Sequence, residues 1–353
     1  MKRMIGLFFL LMLFTATASQ AMGQPLCTNK RHYPNYMASV DGYAPADYDG
    51  DGLADWSIKD FSGAWTIDYS ANGFNGYDQT FFGYGGQSNL PVPHDYDGDG
   101  LADLSVKSDT QGSWSIDYAA NGFGTWDATY WGYGGAENRP VPADYDGDGK
   151  ADLSVKSNTT GKWNIDYSAN GFGAWDVSLN GYGGAENIPV PAHYGNDDIK
   201  ADLAVWVSSG PWNGTFNIDF SFNGFGTWDR SHQNILPGPG RPAAGDFNGD
   251  TYIDFSVKGD DGVWRILFQQ PISSFGPCSP STFFIYSTGS FAGYGDAFHR
   301  PVPHKYSNFI PGGGGCCFGL GTDLAVRKES APSSVAMDFL TNGTGTWDFV
   351  YSP

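Results

Sequence analysis

The chain has 353 residues and a formal charge of -19, from 38 acidic and 19 basic side chains. The basic residues form no run, so the cationic surface that a phosphate backbone demands is missing and nucleic acid is not an expected partner.

The first element in chain order is an export signal. Lys2 and Arg3 precede an apolar run from Ile5 to Phe14, and Ala16-Thr17-Ala18 and Ser19-Gln20-Ala21 offer small-residue cleavage sites. Residues 1–21 therefore read as a signal peptide, too short to span a membrane. The expected location is secreted, extracellular or periplasmic, with no integral membrane segment in the mature chain. Lys2 and Arg3 are the only charges in that stretch, so its removal takes the formal charge from -19 to -21. Residues 22–42 form an N-terminal segment that carries Cys27.

From Tyr43 the text repeats. A nine-residue loop, Asp47-Tyr48-Asp49-Gly50-Asp51-Gly52-Leu53-Ala54-Asp55, returns at 95–103, 144–152 and 246–254. Its last Asp recurs as Asp55, Asp103, Asp152, Asp202, Asp254 and Asp323, at intervals of 48, 49, 50, 52 and 69 residues, a period that marks a repeat array. Each unit holds four short strand signals, A to D. In the third unit they are Val141 to Tyr145, Ala151 to Ser157, Lys162 to Ala169 and Trp175 to Gly181. Trp163, Ile165 and Tyr167 alternate with polar residues, so the period is two and no segment of the repeats reads as a helix. Pro45, Pro91, Pro140, Pro189 and Pro301 open strand A, which suits an edge strand.

Four antiparallel strands in each such period describe a propeller blade. The expected fold is all-β, a six-bladed β-propeller of four-stranded antiparallel blades over residues 43–353, with blades near 43–88, 89–137, 138–186, 187–238, 239–297 and 298–353.

Hard oxygen ligands at this spacing on a glycine turn suit Ca2+, and carboxylates this close repel unless a cation sits among them. An EF-hand reading fails, because Ile58, Val106 and Val155 stand where that loop needs its twelfth-position Glu. Gly245-Asp246-Phe247-Asn248-Gly249-Asp250 with Asp254-Phe255-Ser256-Val257, and Asn121-Gly122-Phe123-Gly124, resemble the FG-GAP or VCBS repeat family, known from the calcium-loaded propellers of integrin α subunits. The resemblance covers nearly all of the mature chain. It implies that the loop lies in the A to B hairpin, with side-chain ligands Asp47, Asp49, Asp51 and Asp55 and a carbonyl from Leu53. The matching sets are Asp95, Asp97, Asp99, Leu101 and Asp103; Asp144, Asp146, Asp148, Lys150 and Asp152; and Asp246, Asn248, Asp250, Tyr252 and Asp254. About four Ca2+ ions are thus expected, in a structural role. Counting back from Asp202, the fourth loop has Tyr194 in first position, which leaves Asn196, Asp198 and Asp202 as a weak set. The sixth replaces its loop with residues 307–321, where no site is expected.

Four cysteines in an exported chain suggest two disulfides. Cys27 could join Cys316 or Cys317 and staple the first repeat to the last, with Cys278 taking the remaining partner; free thiols are the alternative.

The D to A connections read Gly134-Gly135-Ala136-Glu137-Asn138-Arg139 and Gly183-Gly184-Ala185-Glu186-Asn187-Ile188, beside Tyr133 and Tyr182. Amide, charged and aromatic groups in that arrangement suit a sugar, although turn formation also explains them. Trp126, Trp175, Trp228 and Trp347, with Tyr77, open strand D and are expected to pack between blades; Asp68, Asp117, Asp166, Asp219 and Asp338 on strand C are expected to accept backbone hydrogen bonds. No zinc motif, nucleophile elbow or P-loop occurs, so no catalytic residue is named. The expected function is a non-catalytic binding or adhesion module for a glycan or a surface protein, against a polysaccharide-degrading enzyme or a purely structural scaffold. Gln269 to Ser290 and the sixth-unit excursion interrupt the repeats and are expected to adjoin and shape a partner site.

Overall fold

The computed structural model describes residues 42–271 except 75, 196, 197, 249 and 251, and beyond them the strand segments 284–292, 299–301, 324–328, 335–338 and 349–351. The first unit contributes β1 (Trp56–Lys59), β2 (Trp65–Asp68) and β3 (Gln79–Phe81). The second holds β4 (Asn89–Pro91), β5 (Leu104–Ser108), β6 (Ser113–Asp117) and β7 (Ala128–Trp131), and the third β8 (Asn138–Pro140), β9 (Leu153–Ser157), β10 (Trp163–Asp166) and β11 (Val177–Leu179). The fourth is β12 (Asn187–Pro189), β13 (Leu203–Val207), β14 (Phe216–Asp219) and β15 (Arg230–His232). Next come β16 (Gly240–Gly245), β17 (Asp254–Gly259), β18 (Val263–Pro271) and β19 (Phe284–Ala292), then β20 (His299–Pro301), β21 (Leu324–Lys328), β22 (Val335–Asp338) and β23 (Phe349–Tyr351).

The fold is all-β, and five of these sheets are four-stranded, antiparallel and ordered A-B-C-D with strand A at one edge. The six-bladed expectation is corrected: the protein is a five-bladed β-propeller, because the first unit forms only a three-stranded sheet. The segment before β1 meets it at two isolated bridges, Tyr43 with Ile58 and Ala46 with Asp55, and the Gly42 carbonyl accepts the Lys59 N–H at 2.6 Å.

Three further expectations change. Strand A of the third unit is 138–140 rather than 141–145: Pro140 and Pro142 offer no N–H, so beyond Pro140 the ladder narrows to a bridge between Ala143 and Asp152. Single 3-10 turns, Ser70–Asn72, Ala119–Asn121, Ser168–Asn170 and Ser221–Asn223, follow strand C where no helix was expected. Each ends at a glycine with φ of 82° to 84° whose N–H closes the turn. The fifth-unit excursion is no loose loop at its base, because β18 and β19 pair from Val263 with Ala292 to Pro271 with Phe284, nine residues each.

The core lies between neighbouring sheets. Trp65, Ile67 and Tyr84 of the first unit pack with Leu104 and Val106 of the second, and the pattern repeats one unit on through Trp114, Ile116, Tyr133, Leu153 and Val155. On strand C, Trp65, Trp114 and Trp163 are fully buried and donate their indole N–H to Ser57, Ser105 and Ser154 on strand B at 2.7, 2.8 and 2.9 Å. In the fourth unit both partners change together, to Phe216 and Ala204, so no buried polar group is stranded.

Candidate metal centre and the seams between blades

The closing Asp of each of the first four loops ties the two connections at one end of the blade. Asp55 accepts N–H from Tyr48 at 2.8 Å, inside the A to B loop, and from Ser70 at 2.9 Å, in the C to D connection. Asp103 takes Tyr96 and Ala119, Asp152 takes Tyr145 and Ser168, Asp202 takes Tyr194 and Ser221, and Asp254 takes Phe247 and Gln269. The A to B and C to D connections therefore share one end.

The first Asp shapes the turn. Asp47 accepts from Gly50 at 2.7 Å and Gly52 at 2.9 Å; Asp95 does so from Gly98 and Gly100, and Asp144 from Gly147 and Gly149. Position 5 accepts the N–H of position 7: Asp51 from Leu53, Asp99 from Leu101, Asp148 from Lys150 and Asp250 from Tyr252. Position 2 is a tyrosine overlooked in the sequence although it recurs there. Tyr48, Tyr96, Tyr145 and Tyr194 are buried and donate O–H to Ala44, Val92, Val141 and Val190 carbonyls.

Carboxylate oxygens converge in three loops. Asp47, Asp49 and Asp55, then Asp95, Asp97 and Asp99, then Asp144, Asp146 and Asp152 each place oxygens within 4.8 Å of one another. Two oxygens on one Ca2+ stand at most about 5 Å apart, given Ca–O distances of about 2.3–2.6 Å, so these donor sets fit that ion. Burial, reinforced by neighbouring carboxylates, pushes Asp55 up to about 7, Asp103 and Asp152 to about 8 and Asp144 to about 6. Charge in these loops is costly without a counter-ion.

In the fifth loop Asp250 N–H donates to both Asp246 and Asn248 at 3.0 Å; among the described residues, the three-carboxylate groups are those of the first three loops. The fourth loop needs a correction. Tyr194 makes the position 2 bonds, to Asp202 and Val190, so His193 fills the first position and the loop is one residue longer. Its Nε2 lies 3.9 Å from Asp198, which also accepts from Ser221 Oγ; Asn196 lies outside the described residues. So do Cys27, Cys278, Cys316, Cys317, residues 307–321 and the signal segment.

Adjacent loops are chained. The Asp47 carbonyl accepts N–H from Ala102 at 2.8 Å, Asp95 from Ala151 at 2.8 Å and Asp144 from Ala201 at 2.7 Å, each in the next unit's loop. Gly50, at φ +77°, sits so close that a Cβ would lie 2.6 Å from Leu101 Cδ2.

The seams use a tyrosine-aspartate pair. Tyr84 and Tyr133 donate O–H to Asp117 and Asp166 of the following unit at 2.5 Å, and Tyr182 does so to Asp219. The same aspartates accept N–H from Gly124, Gly173 and Gly226 at 2.8 Å, so they do bond backbone donors. Trp126, Trp175 and Trp228 meet Tyr84, Tyr133 and Tyr182 edge-on at 4.8 Å, the expected packing between blades. Tyr133 and Tyr182 are only 2 % exposed, so neither forms the aromatic platform expected of it.

The other candidates stay at the surface. Glu137 and Glu186 are exposed and accept from Asn138 and Asn187, while Arg139 is half-buried. Beneath them, buried lysines cap the connections, a role the recurrent Ser-Val-Lys text could have suggested. Lys59 donates to Gly86 O at 3.0 Å, Lys107 to Gly135 O at 2.6 Å and Lys156 to Gly183 O at 3.0 Å. Trp206 takes the place of lysine in the fourth unit and donates to Leu236 O at 3.3 Å.

Strands B and D end where the B to C turns and D to A connections lie, opposite the acid loops. That end exposes Phe61 (58 %), Phe82 (72 %), Trp131 (62 %) and Trp212 (58 %). The acid-loop end exposes Tyr77, Ile199 and Phe222.

No protein-family model matches the chain, and no curated protein does. Among solved structures it is similar to an Agrocybe aegerita lectin described as recognising non-reducing terminal N-acetylglucosamine, with TM-score 0.52 and 16 % identity over 88 % of this chain and 79 % of the lectin. It is also similar to BBS1N in complex with ARL6DN, with TM-score 0.48 and 11 % identity over 91 % of this chain and 86 % of that one. A third is the Myceliophteria thermophila Cps50 (Swd1) β-propeller domain, with TM-score 0.48 and 9 % identity over 89 % and 88 %. At 16 % identity the likeness to the lectin is one of fold, a β-propeller. None of the described helices is long and apolar enough to cross a membrane.

Proposed function

We propose that the protein is an exported, calcium-stabilised propeller of the FG-GAP or VCBS kind that binds a glycan without cleaving it. The observation that carries the reading is the set of exposed aromatic side chains Phe61, Phe82, Trp131 and Trp212 at the end away from the acid loops. Large apolar rings left in water are costly, and a ring face stacks on the C–H face of a sugar while nearby polar groups bond its hydroxyls. Glu137 and Glu186 lie in the connections at that same end, and Asn138, Arg139 and Asn187 at the start of the strands that follow them. Bound Ca2+ would neutralise the buried carboxylates; Asp47, Asp49, Asp51 and Asp55, and their counterparts at 95–103, 144–152 and 246–254, would hold it and so brace the hairpins beneath the binding end.

The test is a glycan array, with N-acetylglucosamine-terminated glycans among the probes, run in Ca2+ and in chelator. Binding without product, weakened by Trp131→Ala, supports the reading. Release of product would replace it with an enzyme, and no binding at all would replace it with a scaffold or a receptor for a protein.

A further inference from the structure

In every four-stranded sheet one position near the start of strand A faces the end of strand B. It holds Leu90 opposite Lys107 and Ile188 opposite Trp206, but Arg139 opposite Lys156, Arg241 opposite Lys258 and Arg300 opposite Arg327. Like charges placed directly across a ladder repel and weaken it. Three of the five four-stranded sheets nevertheless carry such a pair, while Leu90 and Ile188 show that the strand accepts an apolar residue there. Stability alone does not account for the arginines.

A neutralising carboxylate is also withdrawn beside one pair. In the second unit Asp109 bonds Lys107 Nζ at 2.8 Å, whereas Asn158 fills that place in the third. Lys156 is fully buried, with Nζ on the Gly183 and Gly184 carbonyls. Burial, and then Arg139, lower its ammonium to about 8, and the exposed Glu186 offsets them only in part. Arg139 and Arg241 are half-buried, so part of each side chain meets solvent. Among the described residues Arg241 donates from Nη1 alone, to the Gly240 carbonyl at 3.1 Å, although a guanidinium carries five donors. Strand A is the edge that surrounds a propeller's channel, and β16 and β20, the A strands of neighbouring units, approach within 8 Å between Cα atoms. Among the described residues only Lys150, Lys200 and Arg230 are basic at the acid-loop end, so the cations gather at the opposite one.

We infer that the glycan bound at this end is acidic, and that its carboxylate or sulfate seats on Arg139 and Arg241 at the channel mouth, with Arg300 at the same register position. The inference rests on the glycan-binding reading and adds the charge of the ligand to it. A planar guanidinium holds a carboxylate or sulfate through two parallel N–H bonds. An anion between the arginines also offsets the repulsion that each cross-strand pair carries, so binding relieves a cost already built into the sheets.

The test is isothermal titration calorimetry of the full-length chain in saturating Ca2+. The probes are trigalacturonate, its neutral methyl ester, a sulfated heparin-type tetrasaccharide and neutral triacetylchitotriose. An acidic probe should bind at least about tenfold tighter than the neutral ones, and more weakly as salt is raised. Arg139→Met and Arg241→Met should each weaken that binding by about 10- to 100-fold, the size of losing a charged hydrogen bond. Neither should lower Tm, since each removes a like charge from its ladder. Which acidic arm answers, uronate or sulfate, names the anion. Neutral probes bound as tightly as acidic ones, or acidic binding intact in both variants, overturns the inference and leaves glycan binding standing; silence from every probe overturns both. A lowered Tm in Arg139→Met overturns it as well, because the guanidinium would then be bracing the sheet.

Discussion

The carbonyl of Asp95 accepts a hydrogen bond from the backbone N–H of Ala151 at 2.8 Å, so the first residue of one acid loop holds the eighth residue of the next. With the matching bonds from Ala102 to Asp47 and from Ala201 to Asp144, four consecutive loops form one chain across the blades. A cation bound in one loop would therefore brace its neighbour.

Calcium removal should lower stability in a way that depends on free Ca2+. A ligand that binds only the folded state at 100 times its Kd adds about 2.7 kcal/mol per site. Equilibrium dialysis should find three or more ions per molecule, and calorimetry should show Tm falling in chelator. Fewer than three ions, or a Tm indifferent to chelator, would remove the metal reading.

Asp103→Ala strands the N–H groups of Tyr96 and Ala119, both held by that buried carboxylate. Each unpaired buried donor costs about 1–3 kcal/mol, so a loss of about 2–6 kcal/mol is expected in urea titration. The same variant should bind one ion fewer.

Gly50→Ala places a Cβ 2.6 Å from Leu101 Cδ2 on a backbone at φ +77°. Strain and overpacking together should cost about 2–4 kcal/mol. Because the clash lies between loops, calcium titration should show weakened binding at two sites; a change at one site alone would contradict the coupling.

Trp175→Ala removes the ring that meets Tyr133 edge-on and should cost about 3–5 kcal/mol, whereas Tyr133→Phe, which only removes the hydroxyl bond to Asp166, should cost about 1–3 kcal/mol. Equal losses in denaturant titrations would show that the hydroxyl, not the ring, holds the seam.

Burial lowers the Lys156 ammonium from its ordinary 10.5 to about 8. Its folded-state value lies below the unfolded one, so between about 8 and 10.5 the unfolded chain binds more protons and this group's contribution to stability rises with pH. Lys156→Met should flatten the stability difference measured between about pH 7.5 and 9.5, a window below tyrosine ionisation.

The acid loops and strand repeats were legible in the text because they are local. Asp, Gly and Asp at fixed spacing force a turn whatever surrounds it, and alternation at period two survives in Trp163, Ile165 and Tyr167. The 3-10 turns escaped that reading, since each depends on an N–H accepted by a carboxylate 15 to 19 residues earlier, as Ser70 depends on Asp55 and Ser221 on Asp202. The role of Tyr133 escaped it as well: an aromatic beside a polar loop looks like a binding platform until the next unit's Asp166 and Trp175 are seen to enclose it.

Chain order alone determined the period, the strand character and the acid spacing, because neighbouring residues set turns and alternation through backbone sterics and short-range charge. Only the tertiary structure decided that the first unit makes three strands, that His193 rather than Tyr194 heads the fourth loop, and that tyrosines close seams instead of facing solvent. Those outcomes turn on which groups from successive units meet in space, and on the cost of burying a donor or a carboxylate without its partner.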